Sequence, residues 1–461
     1  MRAWNLKNSQ GTKLTGKIAY VIITSLIIGN LCGCGISSLI PDAEDNVITQ
    51  EQPLIPKSDD AGSHSGSIKV IDVDGDVHET SVDVIEESEA EDNRASLPES
   101  NLAQSARDLV MHSEDGFAYT ELNESARNCY LEIYSILADM LEKVELSSRD
   151  TDEIDLAFRA VMVDHPEIFY VKGYSIGKYM SGSELRKIVF SGTYTLSKKE
   201  VESKREEVEN YVQRCIASCP AGAGDYEKIK YVYEYLIRNN RYVPDSENNQ
   251  NILSVVENGQ TVCQGYTKAM QLILGRMGVF CTLVNGKACG QNGVPSREDL
   301  SNAENAQWGG HVWNIVRCNG MYYNVDVTWG DAVITLQSDD GSVSQDIGVS
   351  YEFFMVDDAT MEETHESEPV VRMPHCNSMQ DNYYRHEGLY FTAVDPEQFV
   401  RAFEAAYASG ESCVFFKADS PDTFSKMEKH LFNDQRIFEY MGKTNVKYVE
   451  FPERNLMMIS L

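Results

Sequence analysis

The 461-residue chain is 42% apolar and carries 72 Asp and Glu against 40 Lys and Arg, a formal net charge of −32. That length allows more than one hydrophobic core. The acidic balance excludes a nucleic-acid binder that works by neutralising phosphates, and it suits a surface protein with basic or polymeric partners.

Arg2, Lys7, Lys13 and Lys17 precede an apolar run from Ile18 to Leu31. Its 14 residues fall short of the roughly 20 that a spanning helix needs, and it reads as the h-region of an export signal. The run ends Leu31-Cys32-Gly33-Cys34, which resembles a bacterial lipoprotein signal, with Cys32 an unusual residue at its position. The resemblance implies a signal peptide over 1–33, cleavage before Cys34, and lipid on the Cys34 thiol. A plain secretory signal or an uncleaved anchor are the alternatives, and all three place the body outside the cytoplasm.

Residues 34–102 read as an acidic, disordered tether. Positions 41–100 hold 17 Asp or Glu against three Lys or Arg, too little apolar surface to fold and enough like charge to extend. Asp72-Val-Asp-Gly-Asp76, with Asp83 in the last ligand place, faintly resembles a calcium loop. Val77 stands where the sharp turn needs glycine, so a plain linker is the better reading. A short β-addition strand at Ile68 to Val84 stays open.

Residues 103–224 are expected to form an N-terminal α+β extension. Ala103 to Leu146 reads as helical, with Leu122, Ala126, Tyr130, Ile133, Leu137, Met140, Leu141 and Val144 as its core stripe. His165-Pro-Glu-Ile-Phe-Tyr-Val171 starts a strand region in which His165 is a turn residue. Ile188 to Tyr194 is a second strand, and Ser197 to Cys215 a charged amphipathic helix. Tyr226 to Asn239 is a helix feeding Tyr242.

From Cys263, apolar residues recur at Tyr266, Ala269, Met270, Ile273, Leu274 and Met277, the spacing of a helix with one buried face, and Gly278 supplies its stop. Cys263 then sits in the first turn, where free N–H groups and the helix dipole favour a thiolate. Val312 to Val316 and Met321 to Val327 read as strands joined at Asn319-Gly320, the strongest short hairpin signal. A two-residue turn there pairs Trp313 with Asp326 and His311 with Thr328. His311 and Asp326 become diagonal neighbours on one face, with β-carbons within roughly 8 Å. A one-residue slip would separate them. Cysteine, histidine and aspartate are the parts of a nucleophile, a base and an orienter. The plain alternative is a small apolar residue opening a buried helix and a structural histidine. Trp308, Trp313 and Trp329 read as core, with one able to shield the site.

Ser338 to Asp346 reads as a surface loop, Tyr351 to Val356 as a further core strand, and Asp357 to Asn382 as an irregular, polar boundary. Residues 383–461 read as a small α/β domain. Its order is strand (Leu389 to Val394), helix (Pro396 to Ala408), strand (Cys413 to Ala418), helix (Pro421 to Phe432) and hairpin (Val446 to Ser460). Setting aside Cys32, Cys34 and Cys263 leaves eight of the 11 cysteines. An even number outside the cytoplasm permits disulfides, but the spacing defines no framework. No CxxC pair or His-rich tract suggests zinc, and no cofactor is expected.

Cys263-Gln-Gly-Tyr, Gly310-His-Val-Trp-Asn and Tyr323-Asn-Val-Asp-Val-Thr-Trp resemble, in order and spacing, the three motifs of the transglutaminase-like superfamily. The resemblance is close over about Asp225 to Asp331. It implies an α+β, papain-like core at 225–360, with the cysteine helix packed on an antiparallel sheet. Similar N-terminal extensions with a His-Pro-Glu-Ile-Phe-like stretch precede this core in some bacterial relatives. By position, Cys263 would be the nucleophile, His311 the base and later acid, and Asp326 the group that holds the imidazole tautomer. The implied chemistry is acyl transfer on protein or peptide amides, by crosslinking or hydrolysis. The Cys263 N–H would be one oxyanion donor, with Tyr242 and Gln260 both open as the second. The superfamily also has members that keep the fold for binding alone, so a non-catalytic surface scaffold is the alternative.

Overall fold

The computed structural model describes residues 21–24, 65–72, 77–83, 116–181, 184–289, 308–331, 333–338, 341–346, 349–444 and 446–461. Cys34, most of the 34–102 segment and residues 103–115 lie outside the described residues. Val21–Thr24, inside the apolar N-terminal run, lies as a strand beside Val333–Leu336 in the uncleaved chain. Among the described residues no helix is long and apolar enough to cross a membrane.

The expected first helix is two helices, Phe117–Glu121 and Glu124–Asp139. Asn123 starts the second by accepting the Ala126 N–H at 2.9 Å, and Met140, in the left-handed region at φ 53°, ends it. Leu141 and Val144 therefore fall beyond the helix, and Val144–Glu145 pairs with Val189 and Phe190 instead. A third helix, Thr151–Asp164, leads through a turn containing His165 into the hairpin Val171–Ser181 and Glu184–Tyr194. Two strands from the acidic segment, Ser65–Asp72 and Val77–Asp83, extend this sheet, with Ile68 to Asp72 beside Gly173 to Gly177. These strands lie where a β-addition strand at Ile68 to Val84 stays open in the sequence. Next comes Lys198–Ser218, opened by a capping box between Ser197 and Glu200.

The helix Cys263–Arg276 is buried on nearly every side rather than on one face. Its polar residues find partners that permit this. Lys268 Nζ donates to the Gln250 carbonyl at 3.2 Å, and Gln271 Nε2 donates to the Val163 carbonyl at 2.8 Å. Gly265 is required by packing, because a β-carbon there would collide with the Thr261 and Ser254 hydroxyls. One hydrophobic cluster runs from Ala118 in the extension through this helix to Met355.

The helix packs on a five-stranded antiparallel sheet. Its strand order is Phe354–Val356, Met321–Val325, Trp308–Cys318, Cys281–Cys289, His365–Ser367. Asn314 ties the layers together, since its Nδ2 donates to the Thr267 carbonyl on the helix at 3.2 Å and to Thr282 on the next strand at 3.3 Å. The expected loop at 338–346 is instead a hairpin, Val333–Ser338 with Gly341–Asp346. The stretch from Asp357 to Asn382 is not wholly irregular, for it supplies the edge strand His365–Ser367 beside Gly286 to Ala288.

The C-terminal residues build a separate core around a four-stranded sheet ordered Tyr390–Phe391, Cys413–Ala418, Leu456–Ser460, Tyr448–Phe451. A helix at Ile437–Met441 is added to the expected order, and the helix from Pro421 ends at Glu428 in a π-turn, Lys429–Asn433. This unit leans on the rest through stacked rings, Tyr226 on His386 at 3.5 Å and Tyr351 on Tyr383 at 3.6 Å. Among the described residues, no disulfide joins Cys129, Cys215, Cys219, Cys263, Cys281, Cys318, Cys376 or Cys413.

Candidate active site

The hairpin forms as its turn chemistry demands. Asn319 and Gly320 both have positive φ, at 50° and 79°, and the register runs from Cys318 opposite Met321 to Asn314 opposite Val325. Beyond that the ladder stops, so the expected pairs Trp313–Asp326 and His311–Thr328 do not form. Asp326 leaves the strand, donates its N–H to the Phe353 carbonyl at 2.9 Å, and caps the short helix Val327–Gly330. The cap itself is a hydrogen bond from the Trp329 N–H to Asp326 Oδ1 at 3.1 Å. The other oxygen, Oδ2, meets His311 Nε2 at 2.8 Å. The two residues thus meet, but through a cap rather than through a continued ladder.

Cys263 opens the helix Cys263–Arg276, and its side chain bears on the charge of His311. The thiol is 4% exposed. Its helix begins without a side-chain cap, so the first-turn N–H groups have no side-chain acceptor of their own there. Of the two open candidates for a second oxyanion donor, Tyr242 spends its N–H on Asp331 Oδ2 at 3.1 Å, and Gln260 lies exposed beside Arg241.

Electrostatics follow from burial and pairing. Burial opposes charge on His311, yet the Asp326 carboxylate and the Cys263 side chain outweigh it and hold the imidazole well above its usual value. Burial likewise opposes charge on Asp326, and His311 and His365 outweigh it, holding the carboxyl well below the usual range. Trp313 is core, donating its indole N–H to Asn324 Oδ1 at 3.0 Å. Trp329 sits 6.1 Å from the His311 ring, centre to centre. Trp308 does not join the core and is 38% exposed.

Sequence reasoning missed His365. It lies on the edge strand, fully buried, with Nε2 3.2 Å from the same Asp326 Oδ2 and Nδ1 2.8 Å from Thr364 Oγ1. No motif marks it, and a three-residue strand has too few positions to show a period. Ligating atoms of His311, Asp326 and His365 lie within 4.8 Å of one another, close enough for a metal ion. Each is already committed to a hydrogen bond within the group or to its neighbours, and a metal would have to break the contact between His311 and Asp326.

Residues 209–327 match the model of the transglutaminase-like superfamily. No curated protein matches the chain. Solved structures similar to it include a TGase, 14% identical, covering 40% of this chain and 49% of its own, at a TM-score of 0.22. A candidate cysteine protease from Cytophaga hutchinsonii is 10% identical, covering 44% and 78%, at 0.20. A candidate protease from Parabacteroides distasonis is 14% identical, covering 37% and 34%, at 0.19. The chain thus spans about half the length of the TGase. The segment that holds Cys263, His311 and Asp326 is a transglutaminase-like domain in a mixed α+β chain.

Proposed function

We propose that the protein performs cysteine-dependent acyl transfer on protein or peptide amides, outside the cytoplasm, from a lipid anchor at Cys34. The observation that carries the reading is the 2.8 Å contact of His311 Nε2 with Asp326 Oδ2, with Cys263 bearing on the same imidazole and both favouring its protonated form. An imidazolium beside a cysteine is the neighbour that favours thiolate. The thiolate sulfur attacks the amide carbon, and a C–S bond forms as the carbonyl becomes an oxyanion. His311 then gives its proton to the departing nitrogen, the C–N bond breaks, and a thioester remains. An amine or water, giving a proton to His311, attacks the thioester and releases the thiolate. An amine acceptor makes a crosslink, water makes hydrolysis.

The competing reading is a surface scaffold that keeps the fold for binding, and the 4% exposure of Cys263 is the observation on its side. Limiting iodoacetamide on the reduced protein, with the modified cysteine mapped by mass spectrometry, separates the two. Selective labelling of Cys263 that falls in His311→Ala supports the enzyme. Labelling no faster than at the other cysteines sinks it.

A further inference from the structure

We propose that His365 is a positioning residue for the candidate site, a neutral donor that holds the Asp326 carboxylate on His311. The proposal rests on the reading of Cys263, His311 and Asp326 given above. A carboxylate only accepts, so the proton in the 3.2 Å contact with Asp326 Oδ2 belongs to His365 Nε2. With the ring neutral, Nδ1 carries no proton and accepts from the Thr364 hydroxyl, 2.8 Å away and buried with it. The chain of donors then runs from Thr364 to His365 to Asp326. Burial pushes the His365 imidazole below its usual value, in keeping with a neutral ring.

The Met361 backbone also bears on the ring, and the rest of its surroundings is aromatic. Trp329 lies at 4.7 Å, Trp313 and Phe353 at 5.2 Å, ring centre to ring centre. Among the described residues, the titratable groups bearing on its charge are Asp326 and His311. One oxygen of Asp326 thus takes two imidazole donors while the other takes the Trp329 N–H. Remove the His365 donor and Asp326 keeps its cap but loses a bond that favours its ionised form. The carboxyl then protonates at higher pH, and His311 loses its anionic partner sooner as pH falls.

The test compares wild type with His365→Phe, which keeps a ring in the aromatic shell without a donor, and His365→Gln, which returns an N–H near Nε2. The readout is the rate of Cys263 alkylation by iodoacetamide across pH 4 to 9. Expected for His365→Phe is a roughly tenfold slower rate at neutral pH, the size of one lost bond to a charged group, because Asp326 is no longer held on His311. His365→Gln should recover most of it. An unchanged rate in a folded His365→Phe overturns the proposal while leaving the site intact. If wild-type Cys263 is no more reactive than in His311→Ala, the underlying reading fails instead. Nitrogen NMR of the unmutated protein decides without any variant: His365 must be neutral with its proton on Nε2, and the other tautomer or a cation overturns the assignment.

Discussion

Asp326 holds the Trp329 backbone and the His311 ring on opposite oxygens of one carboxylate, at 3.1 and 2.8 Å. The orientation of the carboxylate is therefore set by the helix it caps, and any change to it is felt by both the fold and the histidine. Asp326→Asn separates the two roles. Its amide oxygen can keep the cap, but the amide nitrogen donates where His311 needs an acceptor. We expect a lower unfolding midpoint, because the buried amide nitrogen faces two imidazole donors, and at least a tenfold fall in Cys263 alkylation at neutral pH. Asp326→Ala should also lose about 1 kcal/mol of capping. Equal reactivity of Asp326→Asn and wild type would show that the carboxylate does not act on His311.

Stability should depend on pH through the same pair. His311 is raised in the fold, so its contribution is whole below the unfolded imidazole value of about 6.5 and is lost as pH rises through the folded value. Asp326 is depressed, so its contribution is whole above about 3.9 and is lost as pH falls through its lowered value. The pair therefore supports the fold fully between about pH 4 and 6.5. His311→Gln should be most destabilised relative to wild type in that window, with the gap in melting temperature closing toward pH 10. A gap that is flat or widens with pH contradicts this assignment of charges.

Gly286 sits opposite both His311 and Ser367, where a β-carbon would strike the Glu366 carbonyl and the Trp313 ring. Gly286→Ala should push the edge strand outward and cost about 1–3 kcal/mol, the range of overpacked sites. Denaturant unfolding measures the cost. The same variant should lose the His365 signature by nitrogen NMR, because the edge strand carries that ring. An unchanged midpoint would mean that the strand is not held where it packs here.

Gly265 makes the matching demand on the cysteine helix. Gly265→Ala should destabilise through its clash with Thr261 and Ser254, and Thr261→Ala with Ser254→Ala in the same chain should restore part of the loss, since the two hydroxyls are the nearest obstacles. Without recovery in the triple variant, the close approach of those hydroxyls to the helix start is not what requires glycine.

Cys34→Ser should abolish incorporation of labelled palmitate and release the protein from membranes. Retention with the label absent would point to an uncleaved anchor in place of a lipid.

Local chemistry made much of the site legible from the residues alone. The spacing from Tyr266 to Leu274 marks a helix because apolar side chains three and four apart share a face, and Gly278 ends it at φ 72° because glycine tolerates that backbone. Asn319-Gly320 determines the register of the His311 strand because a two-residue turn leaves one way to pair its arms. What only the tertiary structure decided lies where long-range packing overrides local preference. The Cys263 helix is wrapped on all sides because Lys268 and Gln271 find carbonyls on other segments. Asp326 reaches His311 by leaving its strand to cap a turn, a choice made with Phe353. His365 joins them through a three-residue strand paired to residues almost eighty positions earlier, a contact that no local pattern records.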